Sequence, residues 1–279
     1  MIALLFCFAL LIPTIASANQ QGLVFHTDNP RDFESYKTGK LIGINTATNF
    51  EVLSRLTMQY ELAYMSTTRS VQFMEKGENI CVFSRIKTKE RMDKFIFSDI
   101  VNMYLTKQLF QSAKLPPLPN EMLDELGAVY LPDVFKRFPE RTLVYSSHVT
   151  QGTDVDAQLD LVPARNKIIR NGSDHATGAS RMFNKNRADY ILLFPQALKE
   201  GFLLDKNVRG YPIAKAAMFQ VGGFMCTDNP FMRTVVAKID DILAQLHQQN
   251  ILYETHLKWL RKEDIPHFTR LYHQAVGLD

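Results

Sequence analysis

Ser84-Arg85-Ile86-Lys87-Thr88-Lys89-Glu90-Arg91, followed closely by Phe95-Ile96-Phe97-Ser98-Asp99, is the stretch on which the reading of the fold turns. A short β-rich apolar run, Ile80 to Phe83, leads into a basic turn, a charged segment and an aromatic-Ser-Asp step. A strand that ends in a turn carrying Thr and Arg can aim both side chains at a small anion beyond its tip. The meaning of that turn depends on what surrounds it.

Outward from the turn, strand and helix patterns alternate. Gly22 to Thr27 reads as a strand, followed by a polar loop with Asp28, Asn29, Pro30 and Gly39. Leu41 enters a helical stretch that runs through Leu56, Tyr60 to Met65 alternates as a strand, and Thr67-Thr68-Arg69 opens a helix that Gly77 stops. Val101 to Phe110 reads as a further strand. Leu115-Pro116-Pro117-Leu118-Pro119-Asn120 is the clearest break, and a second α/β series follows it. In that series Glu121 to Val129, Pro132 to Phe138 and Asp174 to Lys185 read as helices. Thr142 to Val149, Lys167 to Arg170 and Tyr190 to Phe194 read as strands. Asn229-Pro230 then caps a helix whose Phe231, Val235, Ile239, Ile242, Leu243 and Leu246 share one face, and a last helix carries Leu252, Leu257, Trp259 and Leu260. Such alternation indicates a layered α/β architecture with largely parallel sheets.

Composition sets the bounds. The 279 residues are 46% hydrophobic and 22% charged, an ordinary globular balance, and the length favours two domains over one. A net charge of +3 without any long Lys/Arg block or basic-aromatic stripe does not suggest nucleic acid. Ile2 to Ile15 is almost wholly apolar, and Ala16-Ser17-Ala18 supplies a small-x-small cleavage site, so residues 1–18 read as a secretory signal peptide. The charged segment usual after Met1 is missing, and Cys7 lacks the preceding small residue of a lipidation site. Cleavage after Ala18 leaves Cys81 and Cys226, which are open either to a disulfide in an oxidising compartment or to two buried thiols. Neither cysteine has a second Cys or a His at ligand spacing, and His26, His148 and His175 are scattered through separate elements, so no metal or other cofactor is expected.

In this order the motifs are recognisable. Thr27-Asp28 and Gly39-Lys40-Leu41-Ile42-Gly43-Ile44-Asn45 resemble the opening of the family-3 periplasmic solute-binding proteins. Thr88 to Arg91 with Phe97-Ser98-Asp99 resembles their Thr-x-x-Arg to Phe-Ser turn. Gln151-Gly152-Thr153 and Asn186-Arg187-Ala188-Asp189-Tyr190 resemble their second-lobe Gly-Thr turn and Gly-Arg-x-Asp step. The resemblance spans nearly all of the mature chain. It implies a two-lobed type II periplasmic-binding-protein fold, α/β in both lobes. The first lobe would be 19–109 with 220–279 and the second 110–219, with ligand held in the cleft between them and closure by hinge motion.

Carried over residue by residue, the resemblance makes Arg91 the fork for a ligand carboxylate. Thr88 becomes the donor beside it, Asp28 the acid at the end of the first strand, and Gly152 and Thr153 the turn whose amides meet ligand near a helix start. The sequence also departs from the pattern. Ile86 replaces a small polar residue, Phe194-Pro195 stands where a second-lobe acid is usual, and Arg31 replaces a stacking aromatic. With Arg31, Arg69 and Lys87 gained, the pocket leans toward an anionic or neutral polar ligand.

Plainer readings stand beside these. Arg91 can pair with Glu90 or Asp93 on a surface turn, Arg69 can be solvated surface, and Asp28 can cap a turn. No Ser-His-Asp series and no Gly-rich phosphate loop appears, so the expectation is a monomeric binding protein and not an enzyme. It would be periplasmic and would pass a small polar solute to an inner-membrane ABC transporter or a sensor protein. The alternatives are a sensing protein in its own right or a dehydratase-like enzyme on the same fold.

Overall fold

The computed structural model describes residues 22–146, 150–170 and 175–277, with only the backbone of His175 and Ala176. The signal-peptide segment with Cys7, the His148 and His175 side chains, and the start signal at Asn171-Gly172-Ser173 lie outside the described residues.

In chain order the first elements are β1 (Leu23–Thr27), α1 (Pro30–Thr38), α2 (Ile44–Leu53), β2 (Tyr60–Tyr64), α3 (Thr67–Glu75), β3 (Ile80–Ile86), α4 (Lys89–Met92), β4 (Ile96–Phe97) and β5 (Asn102–Leu105). The next are β6 (Gln108–Gln111), α5 (Leu131–Arg137), β7 (Leu143–Ser146), α6 (Thr153–Leu161), β8 (Lys167–Arg170), α7 (His175–Asn184), β9 (Tyr190–Leu193) and β10 (Arg209–Pro212). The chain ends through β11 (Phe219–Cys226), α8 (Pro230–Gln248), α9 (Ile251–Leu257) and α10 (Ile265–Val276).

These strands build two sheets, and the molecule is a two-lobed α/β protein. One sheet has the order β2-β1-β3-β11-β4, with β5 also paired to β11; the other has the order β10-β6-β9-β7-β8. The sheets are mixed and not largely parallel. β1 runs parallel to β2 and β3, and β7 to β8 and β9, whereas β11 is antiparallel to β3, β4 and β5, and β6 to β9 and β10. The antiparallel pairs arise where the chain crosses between sheets: β6 has just entered its sheet and β11 has just re-entered the other.

The crossing also corrects the strand expected over Val101 to Phe110. It is two strands, β5 and β6, one in each sheet, with Thr106 and Lys107 between them. The helix expected over Glu121 to Val129 is a single 3-10 turn at Asn120–Met122, followed by a reversal in which Leu123 bridges Val129. Gly127, with φ +71, supplies the left-handed residue for that reversal. Not anticipated were α1, which fills the polar loop expected after β1, the short α4 and β4 in the charged and aromatic stretch after β3, and the pair β10 and α10. The latter buries Phe268, Leu271 and Tyr272 with Ile44, Met103, Tyr104 and Leu105.

Local chemistry accounts for most helix starts. Asn29 caps α1 by accepting from the Arg31 amide, and Pro30 takes the first helical position, where no amide donor is needed. Asn229 and Pro230 repeat the arrangement at α8, with the Met232 amide 2.8 Å from Asn229 Oδ1. The amphipathic face of α8 packs Val235, Ile239, Leu243 and Leu246 onto the first sheet beside Phe25, Phe83 and Phe224. Phe25 stacks on Phe83 with centroids 5.2 Å apart and meets Phe224 edge-on.

Cys81 on β3 and Cys226 on β11 are direct register partners and form a disulfide, both fully buried. Their neighbouring strands hold the two Cα atoms 4.1 Å apart.

β3 carries an irregularity that matters for the site. Arg85 pairs with Gly223 and Val82 with Met225, so two residues, Phe83 and Ser84, oppose the single residue Phe224. This is a β-bulge, and Ser84 sits in it with φ +51. A non-glycine residue in the left-handed region costs about 1 kcal/mol. Here Ser84 Oγ accepts from Asn49 Nδ2 at 2.9 Å, which helps to hold the bulge. The bulge shifts the strand's alternation, and Arg85 comes to lie buried at 6% exposure.

Candidate functional site

Beyond the carboxyl ends of β1 and β3 in one lobe and β7 and β9 in the other lies a cavity of about 200 Å³. Open α/β sheets place ligand sites at such strand ends. First-lobe residues contribute Asp28, Asp32, Arg85 and Arg91 to its wall, and the second lobe contributes Gln151 and Glu200. Its aromatic wall is Tyr104 stacked on Phe194, centroids 4.8 Å apart, one ring from each lobe.

Arg91 follows from the opening motif. Thr88 caps the short helix α4, accepting from the Arg91 amide, and so fixes where the Arg91 side chain starts. Arg91 Nη1 donates to Ile86 O at 3.0 Å. Among the described residues Arg91 forms no ion pair; neither Glu90 nor Asp93 takes it, since these pair with Lys94 and Lys89. Burial and then the nearby Arg85 lower its pKa to about 10, with Glu90, Asp28 and Asp156 opposing. It stays protonated throughout the physiological range.

The other expected positions divide. Asp28 lines the cavity, but its carboxylate is engaged: Arg85 Nη2 lies 3.0 Å from Oδ2, and Thr67 Oγ1 donates to the same oxygen. Arg31 stands at the lobe junction, where Nη2 donates to Glu200 O at 3.4 Å and the guanidinium lies 4.9 Å from the centre of the Phe202 ring. Arg69 is exposed on α3 and lines neither cavity, because the buried face of that helix is formed by Ser70 and Met74.

Thr88, Gly152 and Thr153 line a neighbouring cavity on the other side of Ile86, together with Lys87 and Gln220. The Gly152 amide does not face a ligand position there; it donates to Thr150 Oγ1 at 3.1 Å. Gly152 has φ +109, and a Cβ there would run into the Gln220 amide, which itself donates to Gln151 O at 2.9 Å.

Four charged residues of the cleft were not singled out from the sequence. Arg85 has been described. Lys107, at the crossing between lobes, is 7% exposed and donates to Gln151 Oε1 at 2.6 Å, with its ammonium 4.9 Å from the centre of the Phe194 ring. Burial lowers its pKa to about 8. Asp32 on α1 and Glu200, just after β9, carry acid from opposite lobes. Burial, then Glu200 and Asp28, push Asp32 up to about 7; burial likewise pushes Glu200 up to about 7, against the pull of the Ile44 amide and Arg31. Phe194-Pro195 therefore does not leave the second lobe without an acid, since Glu200 supplies one a few residues later. Its signal in the sequence was a lone Glu in the turn that follows the 3-10 segment Pro195–Leu198. Among the described residues no group of three His, Cys, Asp or Glu side chains is placed to hold a metal ion.

The sequence matches no protein-family model and no curated protein. Its fold is similar to several solved structures. One is a histidine kinase sensor domain with similarity to periplasmic binding proteins, at 14% identity and TM-score 0.60 over 86% of this chain and 96% of that one. Another is the probable amino-acid ABC transporter extracellular-binding protein ytmK from Bacillus subtilis, at 17% identity and TM-score 0.58 over 86% and 98%. A third is the arginine-, lysine-, histidine-binding protein ArtJ from Geobacillus stearothermophilus, at 15% identity and TM-score 0.60 over 87% and 98%. Near-complete coverage of both chains in each pair shows that the whole two-lobed architecture is shared. The chain has the type II periplasmic-binding-protein fold.

Proposed function

We propose that this chain is a periplasmic solute-binding protein. Its two lobes, 19–109 with 220–279 and 110–219, close around a small polar solute by hinge motion at the paired crossings near Thr106 and Ala217. The solute carries an anionic group that Arg91 holds. A monomer, sent out by a leader over residues 1–18, would hand it to an inner-membrane ABC transporter. The observation that carries the reading is Arg91, a partly buried guanidinium in a cleft between lobes with no carboxylate partner among the described residues. A planar fork of this kind is suited to a carboxylate or similar oxyanion.

A thermal-shift screen of the mature protein against amino acids, organic acids, polyamines and short glycans tests this. A ligand raises the melting temperature by mass action. Arg91→Ala should keep the fold and lose the shift. Turnover of a substrate with no ligand-induced shift would sink the reading. A second role, sensing for a separate signalling partner, is favoured by the similar histidine kinase sensor domain, of which this chain covers 96%. Pull-down of a kinase ectodomain in place of a transporter by the liganded protein would select it.

A further inference from the structure

Asp28, which the resemblance makes the acid for a cationic or hydroxyl group, lines the cleft with its carboxylate held by the protein's own guanidinium. Arg85 Nη2 is 3.0 Å from Asp28 Oδ2, with the two side chains 8% and 15% exposed, and both residues line the cavity. Arg85 reaches this position because the bulge at Phe83 and Ser84 turns it inward. The pair is neutral as a unit, so a second cation would find no net negative charge there and would approach Arg85 at close range. In a low-dielectric cleft such like-charge contact excludes wrong partners strongly.

We propose that Arg85 is a specificity-determining residue: its guanidinium occupies the cation position at Asp28, so the cleft accepts a solute with an anionic group for Arg91 and rejects one whose far end is a guanidinium or ammonium aimed at Asp28. This rests on the solute-binding reading above. The remaining acids do not restore a cation site of full strength. Burial pushes both Asp32 and Glu200 up to about 7, with Glu200 adding to the rise at Asp32, so neither holds a full negative charge at neutral pH.

The experiment uses L-arginine and L-citrulline, which differ at the side-chain end by one charge, as calorimetric and thermal-shift probes. Arg85→Met should bind L-arginine at least tenfold more tightly than the wild type does, with no matching gain for L-citrulline. The double variant Asp28→Asn with Arg85→Met should lose that gain. If Arg85→Met does not fold by circular dichroism, Arg85→Gln carries the same test. A wild type that binds L-arginine as tightly as the variant, or a folded variant without gain, overturns the proposal. Failure of this kind is separate from failure of the solute-binding reading: the latter would appear as no response of the wild type to any member of the wider screen.

Discussion

Glu200 and Ile44 meet across the cleft: Oε1 of the second-lobe carboxylate accepts the Ile44 amide of the first lobe at 2.9 Å. Ile44 is the first residue of α2, so the carboxyl group caps a helix it does not belong to, where a negative charge is favoured by the helix dipole. Lys199, the preceding residue, donates to Leu260 O at 2.9 Å, and Arg31 reaches the Glu200 carbonyl. One short segment of the second lobe is thus fastened at three points to the first.

This docking is linked to pH. Asp32 and Glu200 are each pushed up to about 7 from ordinary values of 3.8 and 4.5, so the docked state binds protons that the undocked state releases. For carboxyls raised in this way the contribution is fully present below about pH 4 and is lost as pH rises through 7. The melting temperature of Glu200→Gln relative to wild type should therefore rise between pH 5 and pH 8. The difference corresponds to about 1–2 kcal/mol once solvent in the cleft is allowed for. A parallel pH dependence in the two proteins would contradict the linkage.

Gly43 makes room for that cap. A Cβ on Gly43 would stand 2.8 Å from Glu200 Oε1. Gly43→Ala should cost about 1–2 kcal/mol in the wild type and markedly less in a Glu200→Ser background, where the obstructing atom is gone. Urea unfolding of the four proteins of this cycle measures the coupling.

Gly152→Ala should destabilise by about 1–3 kcal/mol, since its φ of +109 is strained for any L side chain and the new methyl meets Gln220. Replacing Gln220 by Ala as well should recover the steric part and leave the backbone part, read as a partial return in denaturation midpoint.

The described residues contain two cysteines, both in the disulfide, so thiol titration of unfolded protein spanning residues 19–279 should give no free thiol before reduction and two after it. Cys81→Ser with Cys226→Ser should lower stability by up to about 5 kcal/mol on the loop-entropy account, given the separation of 145 residues.

Motif order made the architecture legible, because several of the motifs sit next to strand ends and strand ends define the cleft. The cavity-lining places of Asp28, directly after β1, and of Arg91, on the short helix after β3, were legible for that reason. Arg85, Asp32 and Glu200 were not. The partner of Arg85 is 57 positions away, and the Ile44 amide lies 156 positions from Glu200. A sequence gives no account of such pairings until the topology brings them together. Arg69 shows the converse: a basic residue near a helix start looked purposeful, yet its helix turns it to solvent. The bulge at Ser84 was hidden as well, because nothing in Phe-Ser-Arg marks a left-handed serine. The joined β5 and β6 looked like one strand since Thr106-Lys107 contains neither Gly nor Pro.

Leu105, the last residue of β5, is the register partner of Phe219, the first residue of β11. The chain thus leaves the first sheet and re-enters it at one place, on adjacent antiparallel strands. In engineering terms the intervening 106–218 is a cassette inserted in a hairpin loop, and a two-residue turn could join the strand ends it now separates. The first lobe, with its own core and its own cystine, is then a scaffold onto which a different second jaw can be spliced.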